Sequence, residues 1–375
     1  MAGDNTMKVA IIHFWLVGMR GGEKVIESLL DIYPDADVFA HVVDDAAISP
    51  KIRARVKGCT FIGSLPFARR LYQSYLPLMP LALEQLDLRG YDLVISSESG
   101  PAKGVIVDPD ALHICYCHSP MRYVWDMYHD YRERAGWFKR LLMPALMHYL
   151  RIWDVTSAMR VSHFVANSGY VSRRIRRFYN RGSSIIHPPV ATAQFGLAEH
   201  KEDYYLLVGE LVAYKRADLA IAAFAASGRQ LKVVGTGEQY EDIKSAGHPN
   251  IELLGKVDSS ALCTLYSRAK ALVFPGVEDF GIVPVEAMAS GTPVIAYAKG
   301  GALETVRPGV SGILFSEQSP ESLNAAIEEL ESGSCRFDPD ELRKYALQFD
   351  ESRFTTNFTA FVADKMTALA STTGA

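Results

Sequence analysis

The stretch Glu278-Asp-Phe-Gly-Ile-Val-Pro-Val-Glu286, running on through Ala-Met-Ala-Ser-Gly291-Thr-Pro293, contains the plan of the fold in miniature. The apolar run Ala271-Leu-Val-Phe-Pro275 ahead of it reads as a strand. Pro284 suits the first turn of a helix, because its fixed φ fits there and its missing N–H is not needed. The order is therefore strand, acidic loop with Gly281, then a helix whose first N–H groups are free to hold an anion. Glu278 stands on the loop, and Glu286 is expected in the first helical turn. Two carboxylates beside free N–H groups suit sugar hydroxyls and a phosphate together. The same residues also describe an ordinary loop leading into a helix whose dipole favours acidic side chains at its start.

Further units of this kind lie on either side. Lys8-Val-Ala-Ile-Ile-His13 predicts a buried first strand, then a loop over 14–22 and an amphipathic helix from Glu23 with apolar positions 25, 26, 29 and 30. Short apolar strands are expected at 37–41, 91–96, 113–117 and 164–167. A second series predicts strands at 204–208, 231–234, 251–254, 271–274 and 294–296, alternating with helices at 217–226, 238–245, 259–269 and 285–289. Such alternation means an α/β fold with parallel sheets covered on both faces. His187-Pro-Pro-Val190 separates the two series, since two prolines forbid a continuing helix. The expected domains are 1–188 and 189–350, each doubly wound and Rossmann-like, with a helical segment in 351–375.

A chain of 375 residues, 49% hydrophobic and 22% charged, is long enough for two cores and has the make-up of a globular protein. No apolar run reaches the length of a bilayer span. The start, Met1 to Met7, lacks the basic-then-apolar plan of a signal peptide, and Met7 is itself a candidate start. Five scattered cysteines give no disulfide framework, and Cys115-Tyr-Cys117 has the wrong spacing for a zinc or redox pair, so a reducing cytoplasm is the expected location. The net charge of −4 is uneven. Residues 1–200 hold 23 Lys/Arg against 19 Asp/Glu, 201–375 hold 16 against 24, and 132–181 hold 11 against 2. Within that basic region Arg134 to Arg151 interleaves cations with Trp137, Phe138, Leu141, Leu142, Met143, Leu146 and Leu150, and Arg173, Arg174, Arg176 and Arg177 add charge. It reads as a basic amphipathic surface for an anionic membrane leaflet, or as core with a solvated face. No nucleic-acid-binding module accompanies it, so no nucleic acid partner is expected.

Several segments together resemble the retaining glycosyltransferases of family four, over about residues 8–365. The opening stretch is similar to their Glu-x7-Glu motif. Gly21-Gly22, His118-Ser-Pro120, Val208-Gly209 through Lys215-Arg216, Gly235-Thr-Gly237 and Gly300-Gly301 with Glu304 follow the family's order. Cys117-His118-Ser-Pro120-Met-Arg122-Tyr-Val-Trp125-Asp126 is most similar to bacterial mannosyltransferases of polysaccharide and O-antigen assembly. The resemblance implies the GT-B fold, two Rossmann-like domains facing a central cleft, with the terminal helix crossing back to the first domain.

It also implies roles. Glu286 would take the ribose hydroxyls and Glu278 the hydroxyls of the donor sugar, with the N–H groups around Phe280, Gly281 and Ile282 meeting sugar and phosphate. Lys215 would contact the diphosphate, where a compact cation can neutralise a departing phosphate. His118 would reach the transferred sugar. Gly235 and Gly237 would lie close to the nucleotide, Lys256 and Val257 would meet the base through backbone, and Gly22 would border the donor phosphates or the acceptor. Gly300-Gly301 and Glu304 would shape the diphosphate-facing wall. Arg122, Tyr123, Trp125 and Asp126 read either as acceptor-side contacts or as a local packing cluster. One departure stands out, Gly209-Glu210-Leu211 where many relatives have Gly-Arg-Leu. A like-charge contact with phosphate at about 4 Å would cost roughly 4 kcal/mol at an effective dielectric of about 20. Glu210 is therefore expected to point away, with Arg216 or Arg122 as the substitute cation.

No carboxylate or histidine cluster accompanies His118 and no Asp-x-Asp stands at a matching strand end, so neither metal nor cofactor is expected. The expected activity is retaining transfer of a sugar to a lipid-linked or lipopolysaccharide oligosaccharide, by an enzyme in the cytoplasm or on the inner face of its membrane. Mannose from GDP-mannose is the preferred donor, with UDP-sugars open. The rival readings are a non-catalytic sugar-nucleotide-binding subunit, which Glu210 favours, and a GT-B epimerase acting on the donor itself.

Overall fold

Along Val9–His13, the first strand, Val9 and Ile11 join one buried cluster and Ala10 and Ile12 another. Side chains alternate across a strand, so an apolar run with no polar interruption has to be covered on both faces. The computed structural model, which describes residues 7–373, repeats this arrangement throughout. Residues 1–6 lie outside the described region.

The first sheet contains β1 (Val9–His13), β2 (Asp37–Ala40), β3 (Val56–Cys59), β4 (Leu93–Glu98), β5 (Leu112–Cys117), β6 (His163–Ala166) and β7 (Ser183–Ile185). All pairings are parallel, in the order β3-β2-β1-β4-β5-β6-β7. The second sheet contains β8 (Tyr205–Val208), β9 (Leu231–Val234), β10 (Ile251–Gly255), β11 (Leu272–Phe274), β12 (Val294–Tyr297) and β13 (Gly312–Phe315), also parallel, in the order β10-β9-β8-β11-β12-β13. Both are doubly wound. The order reverses between β1 and β4 in one and between β8 and β11 in the other. Ligands of such sheets bind beyond the strand ends at that switch point.

The chain divides into two units, Met1–Pro188 with Phe354–Ala375, and Pro189–Arg353. In the first unit, Phe354, Phe358 and Val362 of the terminal helix Glu351–Thr373 belong to the same buried cluster as Ile11, Val38, Ile95 and Ile114. In the second, Leu206, Leu272, Phe274 and Ala296 pack on one face of the sheet, and Leu207, Val233, Val273 and Ile295 on the other. No described helix is long and apolar enough to cross a membrane.

Three strands carried no readable signal in the sequence. β3 and β7 are edge strands with part-exposed patterns, and β13 is short and starts at a glycine. Edge strands are kept short and polar because an exposed apolar edge invites pairing with other chains. The helix read from Glu23 opens at Gly21, so Gly21-Gly22 form its first turn and are not a loop ahead of it.

Candidate functional site

In the second unit the site is built by the loops after β8, β9 and β11. Lys215 ends a tight turn, Ala213–Lys215, beyond β8. Its path is open because residue 276 is glycine; a Cβ there would lie 2.7 Å from the Cα of Lys215. The close crossing brings Lys215 Nζ to 2.9 Å from Glu278 Oε1. Both side chains are 21% exposed, so the ion pair is reachable from solvent. Burial lowers the Lys215 pKa, but the charge of Glu278 and its hydrogen bond, with lesser help from Tyr214 and Glu210, outweigh burial and raise it above the usual value. The amine is firmly an ammonium.

Glu210 is exposed and lines the same small pocket as Lys215, Gly276 and Glu278. Arg216 engages a neighbour of its own. It stands in the left-handed region at φ 56°, a costly conformation for a residue with a side chain, and its guanidinium is turned onto Asp218 at 3.1 Å.

The Glu278 loop is fixed from behind. Gly301 N–H donates to Glu278 O at 2.8 Å, and a Cβ on Gly301 would meet Phe280 O at 2.2 Å. Phe280 buries its ring in the core, edge-on to Phe349. Gly281 caps the helix Ile282–Ala289. Glu286 is the fifth residue of that helix, not part of its first turn as the sequence suggested. It is buried, with Oε2 accepting from the Tyr266 hydroxyl at 2.9 Å. Gly209, Leu211 and Gly235 are tied to Val234, Thr236 and Gly255 by backbone hydrogen bonds, so the glycine loop Gly235-Thr-Gly237 lies against the segment that leads to Lys215. Lys256 is exposed beyond β10, and Val257 packs on the core.

In the first unit His118 follows β5 directly. Its ring is half-buried, edge-on to Tyr116, with Nε2 at 2.7 Å from Ser97 Oγ. Burial, helped by the neighbouring His13 and opposed by Glu23, pulls its pKa down to about 3, so the ring is neutral. Gly22 is adjacent; a Cβ there would lie 3.7 Å from His118 Nε2.

The segment after His118 is engaged in the unit's own packing. Trp125 stacks on Phe178 at 4.9 Å and donates to Asp154 at 2.7 Å. The Tyr123 hydroxyl meets Met121 Sδ, and Asp126 accepts from Arg174 at 2.7 Å. Arg122 is half-buried. Arg174 is itself buried, bonded to Ser119 Oγ and to Pro120 O, which removes it from the basic surface on which the sequence placed it. Arg173, Arg176 and Arg177 remain exposed. Beneath lies a sealed cluster in which Lys103 bonds Glu98 at 2.6 Å and also Asp154, all three with no exposed side-chain surface. Sequence reading missed this cluster, and it also missed His13 and Ser97 beside His118. Polar residues at the ends of apolar strands were the only available signal.

Residues 191–349 match the family model described as glycosyl transferases group 1. An uncharacterized glycosyltransferase of Methanocaldococcus jannaschii is 34% identical over 147 residues, 38% of this chain and 40% of the relative. The O-antigen chain mannosyltransferase RfbU of Salmonella typhimurium is 31% identical over 161 residues, 39% of this chain and 45% of the relative. The matched stretches thus span less than half of either relative. Among solved structures, a sucrose-phosphate synthase of Thermosynechococcus elongatus superposes with a TM-score of 0.72 at 18% identity, over 97% of this chain and 100% of the other. Residues 191–349, in the second unit, carry the match to the group 1 glycosyltransferases, and the chain folds as two parallel-sheet α/β units of GT-B type.

Proposed function

We propose that this protein is a retaining mannosyltransferase that moves mannose from GDP-mannose to a lipid-linked or lipopolysaccharide oligosaccharide. The observation that carries the reading is the Lys215–Glu278 pair, 2.9 Å apart at the switch point of the second sheet, beside the helix of Glu286. In this reading Lys215 neutralises the departing diphosphate and Glu278 binds hydroxyls of the transferred sugar. Glu286 takes the ribose hydroxyls, and His118 serves the sugar side of the reaction. The backbone around Gly281 and the loop Gly235-Thr-Gly237 approach donor and nucleotide. The choice of mannose rests on the name of the O-antigen relative.

The donor is tested by thermal shift with GDP and UDP, since a ligand that binds only the folded state raises the melting temperature. Nucleoside diphosphate release from GDP-mannose and from UDP-glucose is then measured in the presence of lipid-linked oligosaccharide. GDP-specific stabilisation with mannose transfer is expected. UDP-specific stabilisation would overturn the donor assignment, and release without transfer would overturn the acceptor. With Lys215 carrying the leaving-group charge, transfer should persist in EDTA.

The acceptor class suits a protein docked on an anionic leaflet. In the helix Trp137–Met159 the first turns turn outward, with Trp137 80%, Phe138 57%, Leu141 69% and Leu142 51% exposed beside Lys139 and Arg140. Later turns bury Met147, Leu150 and Trp153 in the core. Exposed apolar side chains among cations suit a lipid surface. Binding to anionic vesicles should fall with salt and with Trp137→Ala. Binding indifferent to both would leave this face as solvated helix.

A further inference from the structure

Three buried side chains beside His118 have no role in the reading above. His13 ends β1, Ser97 lies in β4 and Glu23 stands in the first turn of the helix Gly21–Ile32. His13 and Ser97 are register partners across the parallel pair, which sets their side chains side by side. Ser97 Oγ touches two imidazoles, Nε2 of His118 at 2.7 Å and Nδ1 of His13 at 3.1 Å. Nε2 of His13 is buried with no hydrogen-bond partner, and Oε1 of Glu23 stands 3.8 Å away as the nearest countercharge. The other Glu23 oxygen accepts from Arg20 N–H at 2.9 Å. Burial pushes the Glu23 carboxyl up, but the His13 ring and the Glu23 and Arg20 backbone outweigh it, and the group is ionised. Its place at a helix start favours that charge further.

A hydroxyl carries one proton, so Ser97 can donate to only one of its two ring nitrogens and must accept from the other. The Glu23 carboxylate decides which. In the neutral His13 ring it favours the proton on Nε2, facing it, and leaves Nδ1 bare, whereas a doubly protonated ring would reverse the Ser97 hydroxyl and the relay with it. With the ring neutral, Ser97 donates to Nδ1 of His13, and its oxygen accepts from Nε2–H of His118. We infer that Glu23, His13 and Ser97 form a hydrogen-bonded relay that fixes His118 as the Nε2–H tautomer and presents its Nδ1 as an acceptor. The three are positioning residues. A hydroxyl of a sugar would donate to His118, and His118 would not donate to it; that last step alone rests on the proposed function. The helix start passes close over the relay, since a Cβ on Gly22 would lie 3.2 Å from His13 Cε1.

Long-range proton–nitrogen correlation spectra of the protein labelled with nitrogen-15 histidine report each ring's tautomer without substrate, and so independently of transfer. At pH 7 His13 and His118 should both appear as Nε2–H, assigned by loss of each signal in His13→Gln and His118→Gln. Ser97→Ala and the shape-preserving Glu23→Gln should each release His118 into a mixture of tautomers. They should also lower turnover about tenfold with little change in donor KM, the pattern of a contact made only in the transition state. An Nδ1–H tautomer of His118 in the parent would overturn the relay. So would a His118 tautomer unchanged in both variants. The expected tautomers in a protein that releases no nucleoside diphosphate from any sugar donor would uphold the relay and sink the proposed function.

Discussion

Below His118 the charges are sealed; around Lys215 they are open. Lys103, Glu98 and Asp154 have no exposed side-chain surface, and the Lys103 ammonium also lies over the Tyr179 ring, 4.7 Å from its centroid. Burial lowers the Lys103 pKa, yet the two carboxylates outweigh burial and raise it, so the cation persists in the core. Glu98 also anchors the loop itself, its carbonyl accepting from the N–H of His118 at 2.8 Å. Lys215 and Glu278 form the same kind of pair, but each is one-fifth exposed and held by backbone crossings. A sealed pair cannot be exchanged for a ligand and serves position. An accessible pair can trade one partner for a phosphate. The same topology thus carries a rigid charge cluster in the first unit and an exchangeable one in the second.

The comparison breaks first on stability. Lys103→Ala leaves two carboxylates buried without their cation, and breaking a buried pair this way costs about 3–5 kcal/mol. The loss should appear in urea unfolding as a lower midpoint. Lys215→Ala removes a pair open to solvent and should cost no more than about 1 kcal/mol. Equal losses for the two variants would mean that the sealed and open clusters are energetically alike.

Turnover should reverse that ranking. On the proposed reading Lys215→Ala lowers kcat by about 100- to 1000-fold, the usual effect of removing one group that stabilises developing charge. Glu278→Ala should likewise cripple turnover while leaving nucleoside diphosphate affinity within a few-fold, because it frees Lys215 and touches only the sugar. Glu286→Ala should act on affinity. A charged hydrogen bond of about 1.5–3 kcal/mol corresponds to a loss of about ten- to a hundredfold in nucleoside diphosphate binding by calorimetry. Equal losses of affinity for the two glutamate variants would end the division of labour between them.

The open half was the more legible in sequence, for a physical reason. Its parts are contiguous: strand, glycine, carboxylate and helix start fall within Ala271 to Ala289, so the loop chemistry survives in the order of residues. The position of Glu286 was misjudged by one turn, because Gly281 in the left-handed region starts the helix at Ile282, two residues before Pro284. The direction of the Arg216 side chain was not legible, because it depends on the turn that carries it. The sealed half is assembled from four distant places, His13, Glu23, Ser97 and His118, and Lys103 meets Asp154 across 51 residues. Nothing local marks a polar residue at a strand end as one member of a network. The central strands were readable because burial on both faces demands unbroken apolar runs, a demand that edge strands such as Val56–Cys59 do not meet.

The smallest expected effect is graded with pH and separates the halves by a different property. The first unit holds three imidazoles with strongly lowered pKa values, His41 at about 4, His113 at about 3 and His118 at about 3. Burial is the main cause in each. For His41 a hydrogen bond to Pro101 O opposes it, and for His113 the charges of Arg160 and Lys103 reinforce it. An unfolded histidine takes up its proton near pH 6.5. Between about pH 6.5 and pH 3–4 the unfolded chain therefore binds protons that the folded unit refuses. The stability these neutral rings contribute is complete above about pH 6.5 and is lost progressively as the pH falls, with a limiting slope of about 1.4 kcal/mol per pH unit for each ring. Urea midpoints should fall between pH 7.5 and pH 5, and His41→Gln, which keeps a polar side chain opposite Thr60 and Pro101, should flatten that dependence by one ring's share. A dependence unchanged in His41→Gln would mean that this ring already carries its proton in the folded unit, and that the first half is less tightly sealed than the contrast with Lys215 requires.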